Sequence, residues 1–236
     1  MLRALGFSLG VFFAIAAGGC AAHRDPAPVP SPARIAACTS ALRLVAIGDS
    51  LAHGTGASTP AHSFVGLVAG HIRAHHALTF VDYGIPGANA DDIARREVPR
   101  IRPEACDLVV VIAGANDVQQ FHTPGRFAGD YLRLIGAIRK RDPHAGLVLL
   151  GLPQISQSRI IPGILKGPIS FLSDRGNASI RDVAARYHAG FVDLYALSLE
   201  HAKGSGTLIG PDGLHPNDEG YALMAAAAYP AVDAVL

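Results

Sequence analysis

Leu42-Arg43-Leu44-Val45-Ala46-Ile47 runs directly into Gly48-Asp49-Ser50-Leu51, and the fold is decided at this junction. The opening run is aliphatic apart from Arg43, with no alternation of polar and apolar positions. A strand with one wet face would alternate, whereas a strand covered on both faces reads as a continuous apolar run. Gly48 then allows a sharp turn, so the hydroxyl of Ser50 lands just beyond the strand's carboxyl end. Serine is also an ordinary helix N-cap. Taken alone, Ser50 reads as the start of the next helix.

Working outward, runs of the same kind lie at 78–83, 108–113, 147–152 and 190–194. Between them apolar residues recur at helical spacing. Phe64, Leu67, Val68, His71 and Ile72 share one face, as do Phe127, Tyr131, Leu134, Ile135 and Ile138. Two more helices are predicted over 173–188 and 217–229. Strands alternating with helices predict an α/β fold: a three-layer α/β/α sandwich with a central, mostly parallel five-stranded sheet. In such sheets ligands bind at the carboxyl ends of the strands. The pattern fills 41–236 with no internal repeat and no second domain, and a chain of 236 residues has room for one domain of this kind.

Composition excludes other classes. Hydrophobic residues are 50% of the chain, charged residues 17%, and the formal net charge is +1, which is not the balance of a disordered chain. Near-neutrality leaves no basic stripe for nucleic acid. The 26 Gly and 16 Pro imply many turns, but they show no collagen period. Three Cys are too few for a disulfide scaffold and lack the spacing of a zinc site, so no metal is expected.

The N-terminus reads as an address. Arg3 precedes an apolar stretch over 4–17, and small residues follow. This is a signal peptide over 1–19, short for a bilayer-spanning helix. Its ending, Ala17-Gly18-Gly19-Cys20, resembles a bacterial lipobox, although Ala17 stands where Leu is usual. That resemblance implies lipidation of Cys20 and a protein anchored to the membrane of the bacterial cell envelope. Soluble export to the periplasm or medium is the alternative. Residues 20–40 are predicted to be a Pro-rich tether, since Pro26, Pro28, Pro30 and Pro32 lack an N–H and fix φ. Cys38 and Cys106 remain as an even pair that an oxidising compartment allows to bridge; spacing does not settle the pairing.

Each strand end carries a small signal. Gly84-Ile85-Pro86-Gly87-Ala88-Asn89 is a tight turn that can hold a backbone N–H free at a helix start; it is equally an ordinary βα loop. In Gly114-Ala115-Asn116-Asp117 the amide of Asn116 can donate to a developing oxyanion, although Asn and Asp are also common turn residues. In Asp212-Gly213-Leu214-His215-Pro216 the carboxylate can fix one imidazole nitrogen and leave the other to take a proton from a hydroxyl. A solvated loop histidine is the plainer reading. Ala52 stands where a G-x-S-x-G elbow needs its second Gly, which excludes that motif.

Together the blocks say more. Gly-Asp-Ser-Leu, Gly-x-x-Gly, Gly-x-Asn-Asp and Asp-x-x-His, in this order and at these places, resemble the SGNH/GDSL hydrolase family over 42–235. The resemblance implies the flavodoxin-like fold of that family and a serine hydrolase needing no cofactor. It assigns Ser50 as nucleophile, with His215 as base and Asp212 orienting it. It assigns the oxyanion hole to the N–H groups of Ser50 and Gly87 and the amide of Asn116. The second block departs from the family, with Asp82-Tyr83 before Gly84 where Asn is usual. His53, close to Ser50 in sequence, is not the family's base and is read as a bystander. His71, His75 and His76 read as a partly exposed helix end, Asp49 and Asp117 as turn-bonding groups, and Arg95-Arg96 and Arg139-Lys140-Arg141 as solvated helix faces.

The expected activity is hydrolysis of short- to medium-chain carboxylic esters by a monomer. The alternatives are O-acetylesterase or acyltransferase action on an envelope or plant polysaccharide and, least favoured by the intact blocks, a non-catalytic surface-binding module. Substrate choice is expected to lie in 153–172, where Ile155, Ile160 and Ile164 stand among Gly, Pro and Ser and are candidate pocket residues. A surface helix pair packing its apolar side is the competing reading of that segment.

Overall fold

The computed structural model describes Ile35 and residues 41–201 and 208–236. The predicted signal peptide, Cys20 and Cys38 lie outside the described residues. Strands β1 (Leu42–Gly48), β2 (Leu78–Asp82), β3 (Asp107–Ile112), β4 (Gly146–Leu150) and β5 (Gly190–Val192) form one sheet in the order β2-β1-β3-β4-β5. Every pairing is parallel, so the expected sandwich stands. The helices are α1 (Ser50–His53), α2 (Phe64–Arg73), α3 (Ala90–Arg96), α4 (Ala115–Gln119), α5 (Pro124–Arg141), α6 (Gly163–Tyr187), α7 (Leu194–His201) and α8 (Asp218–Val235).

Two cores flank the sheet. Val45, Ile47, Val109, Val111, Leu147 and Leu149 face α3, α5 and α6. Leu44, Ala46, Leu108, Val110, Val148 and Leu150 face α2 and α8. All of β1, β3 and β4 is buried, which is why those strands read as unbroken apolar runs. Arg43 is tolerated in β1 because its Nε donates to Asp107 Oδ1 at 2.8 Å and its Nη1 pairs with Glu104 at 2.8 Å. Strand β2 differs from expectation. It is an edge strand, and Thr79 and Phe80 are exposed.

Two helices are longer than their sequence suggests. α6 begins at Gly163, well before residue 173, although Pro168 lies inside it. Its face explains this. Leu165, Ile169, Leu172, Ile180 and Val183 pack on one core at helical spacing, and Pro168 points to solvent. α8 likewise continues through Pro230 to bury Val232 and Val235. Ile35 departs from the tether reading: it is buried, and its N–H donates to Val235 O at 2.8 Å. That residue already belongs to the folded body. Cys106 is buried and disulfide-bonded.

The strand order reverses direction between β1 and β3, the place where open α/β sheets bind ligands. Gly48 pairs with Ile112 at the carboxyl ends of these two strands. A Cβ on Gly48 would lie 2.0 Å from Ile112 O, so only glycine lets the chains approach this closely before the turn.

Candidate active site

Ser50 is the first residue of α1, and Asp49 is that helix's N-cap. The Asp49 carboxylate accepts from Leu51 N at 2.9 Å, as a turn-bonding group should. This leaves Ser50 half-buried at the sheet's edge with its hydroxyl outward. Its Oγ lies 2.9 Å from His215 Nε2. His215 Nδ1 lies 2.6 Å from Asp212 Oδ2. Asp212 Oδ1 accepts the N–H of Leu214 at 2.9 Å and of His215 at 3.0 Å. These backbone donors, with His215, hold the Asp212 carboxyl down at about 2. Asp212 is therefore ionised at neutral pH and fixes Nδ1 as a donor, so Nε2 faces Ser50 as an acceptor.

The second and third blocks meet each other. Gly87 has φ +82°, and a Cβ there would touch nothing within 4 Å. Backbone conformation rather than crowding demands glycine here, and open space lies in front of it. The N–H groups of Ser50 and Gly87 have no acceptor among the described residues. Asn116 lies in the first turn of α4 and donates through Nδ2 to Ala88 O at 3.0 Å. Its other approach, to Asp49 Oδ2, is 3.5 Å and too long for a good bond. That N–H can therefore turn to a ligand. Asp117 Oδ2 accepts from Ala90 N at 2.9 Å, tying the two blocks together. Its Oδ1 lies 3.1 Å from His122 Nδ1.

The N–H groups of Ser50 and Gly87 and the amide of Asn116 thus belong to the blocks gathered around a hydroxyl that already has a base. Such a set can stabilise a negative charge developing on a carbonyl oxygen while the hydroxyl attacks the carbon. A model of the GDSL-like Lipase/Acylhydrolase family matches residues 46–223, which contain every one of these groups. The chain belongs to that family. It is accordingly a serine ester hydrolase. A search of curated proteins returns no match.

Solved structures place this GDSL hydrolase among known folds. A lipolytic G-D-S-L family protein from Veillonella parvula is 18% identical with a TM-score of 0.66, covering 80% of this chain and 97% of that one. An acetyl xylan esterase from Geobacillus stearothermophilus, in a variant form, is 19% identical with a TM-score of 0.65, covering 84% and 97%. TesA is 21% identical with a TM-score of 0.65, covering 82% and 99%. At these identities the likeness shows the fold alone.

Other expectations sort themselves by position. Ile155, Ile160 and Ile164 do not share one pocket. Ile155 is buried in the core beside α6, Ile160 is 51% exposed and Ile164 is 88% exposed. Early onset of α6 turns Ile164 outward. Ile160 lies beside the Asp212–His215 loop, its Cγ2 3.4 Å from where a Gly213 Cβ would stand. His53 lines a neighbouring cavity of about 200 Å³ with Ala57, Phe80 and Asp82. His71 stacks on Tyr229 and pairs with Asp233 at 2.7 Å, and His75 and His76 are exposed.

One group at the nucleophile turn has no sequence signature. Glu97 is fully buried, and its Oε2 accepts the Gly48 N–H at 2.7 Å. Its Oε1 has no hydrogen-bond partner among the described residues. Burial, with Asp49 and Asp82 nearby, pushes its carboxyl up to about 8. Burial likewise raises Asp49 to about 7. A glutamate closing a helix behind Arg95-Arg96 gives no hint that it turns inward.

Proposed function

We propose that the chain hydrolyses short- to medium-chain carboxylic esters through an acyl-enzyme on Ser50. The observation that carries this is the unbroken relay Ser50 Oγ–His215 Nε2 at 2.9 Å and His215 Nδ1–Asp212 at 2.6 Å. Ser50 Oγ bonds to the carbonyl carbon as its proton passes to His215 Nε2. Asp212 stabilises the imidazolium. The carbonyl oxygen takes the negative charge against the N–H groups of Ser50 and Gly87 and the Asn116 amide. The C–O bond to the alcohol breaks, and His215 returns the proton to the leaving oxygen. Water repeats the sequence on the acyl-enzyme, releasing the acid and restoring Ser50.

The acyl preference rests on Ile160 beside the Asp212–His215 loop. Each methylene sheltered there is worth about 0.8 kcal/mol. An apolar wall that is half open shelters only a few. Aromatic residues are 6% of the chain and Trp is absent, which disfavours a broad sugar-stacking platform. A p-nitrophenyl ester series tests the reading. kcat/KM should rise over the first few carbons and stop rising by about eight, and Ser50→Ala should abolish turnover. A well-folded Ser50→Ala protein retaining more than a few per cent of the rate overturns the mechanism. Faster release of acetate from acetylated xylan than from simple acetyl esters would move the substrate class to polysaccharide. We also propose that the enzyme is exported and held at the bacterial envelope through Cys20, on the strength of the lipobox-like sequence.

A further inference from the structure

Asp212 and His215 ride on a loop in which Gly210, Gly213 and Pro216 are buried while the Asp212 side chain is 46% exposed. Internally the loop is pinned by Gly210 N–H to His215 O at 2.8 Å and by the Ile209–Pro216 bridge. Its outer side is pinned by a turn far away in sequence. Between the 3-10 turn Ile155–Gln157 and α6, Ser158 Oγ donates to Gly213 O at 2.7 Å. Arg159 N–H donates to the same carbonyl at 3.0 Å. Arg159 Nη2 donates to Gly210 O at 2.7 Å. A Cβ on Gly213 would lie 3.3 Å from Arg159 Cβ, so turn and loop are in contact as well as bonded.

The two latched carbonyls bracket Asp212, one on either side of it in sequence. We propose that Ser158 and Arg159 are positioning residues, which hold the Asp212–His215 loop in register with Ser50. Arg159 does this by geometry. Its guanidinium, on an exposed side chain, is spent on a backbone carbonyl rather than on a carboxylate. A base displaced by an ångström costs an enzyme about 10²-fold in rate, and among the described residues no other segment bonds to both Gly210 O and Gly213 O. The connection after β4 therefore acts on the base as well as carrying Ile160. This inference rests on the proposed acyl-enzyme mechanism.

The test compares Arg159→Met, which keeps the stem and loses the donors, with Arg159→Lys, Ser158→Ala and the Ser158→Ala/Arg159→Met pair in the full chain. kcat and KM are measured on p-nitrophenyl acetate, the labelling rate of Ser50 by a fluorophosphonate probe is followed, and Tm is recorded. Each single loss should lower kcat about tenfold and the pair about 10²-fold, with KM within about twofold. Labelling should slow in parallel, and Arg159→Lys should recover part of the rate. If a variant lowers Tm but keeps wild-type kcat and labelling below its transition, the residues only stabilise the fold and the proposal fails. It fails equally if KM alone changes. Should the paired variant not fold, the single variants carry the same comparison. A wild-type protein that neither labels nor turns over ester instead sinks the mechanism itself, which separates the two failures.

Discussion

Asp212 uses its two oxygens differently, and that division makes it a sharp probe of the site. Oδ1 is committed to two backbone N–H groups, and Oδ2 faces His215 Nδ1. In Asp212→Asn, the amide oxygen can keep the backbone bonds while the amide nitrogen meets Nδ1. The imidazole must then carry its proton on Nε2, the wrong nitrogen for removing one from Ser50. We expect kcat to fall about 10³–10⁴-fold with the loop unmoved; a loss below about tenfold would show that the carboxylate is not needed. Asn116→Ala should be milder, on the order of 10²–10³-fold in kcat, because two backbone donors remain. A loss confined to KM would move Asn116 out of the oxyanion hole. Glu97 offers a different prediction. Its folded value of about 8 lies above the unfolded glutamate value of about 4.3. The folded state therefore holds that proton more tightly, and its stabilising contribution is full below the unfolded value and fades as pH rises toward 8. Asp49, raised to about 7, adds a slope of the same sign. Wild-type urea midpoints should fall between pH 5 and pH 8.5, and Glu97→Gln, which can still accept from Gly48, should flatten that fall. Identical slopes in the two proteins would refute the assignment.

Among the elements, α6 shows best what sequence could and could not tell. The strands β1, β3 and β4 were legible because complete burial imposes an unbroken apolar run. The onset of α6 was not, since Gly163, Gly167 and Pro168 are ordinary helix breakers. Tertiary packing of Leu165, Ile169 and Leu172 overrides them, with proline kept on the wet side. That early onset separates two isoleucines that looked equivalent. Ile160 stays beside the Asp212–His215 loop, and Ile164 stands in solvent. Ile160→Ala should thus shift the optimum of the acyl-chain profile toward shorter chains, while Ile164→Ala should leave it unchanged. A shift in the second variant, or in neither, would place specificity elsewhere. At the other end of the sheet, β2 was misjudged for a simple reason. An edge strand need not be covered on both faces, and Phe80 remains exposed there.

For the molecule as a whole, the proximity of Ser50, Gly87, Asn116, Asp212 and His215 was readable because four short blocks each fall at a strand end or just before the last helix. What supports them was not readable. Glu97, Ser158 and Arg159 are tied in by bonds to backbone groups, and such contacts leave no spacing or periodicity behind. The export proposal rests on the N-terminal sequence. Cys20→Ser should move the enzyme from the membrane fraction to the soluble fraction of a bacterial host, and wild-type protein found soluble and cleaved elsewhere would refute it. Ile35 docks on Val235 O and crowds Gly146, the first residue of β4. This is the amino edge of the sheet, and the site sits on the opposite edge, a strand length of about 20 Å away. An enzyme leashed by its N-terminus would carry that leash at the end away from its mouth, so the point of attachment would not itself stand between an arriving ester and Ser50.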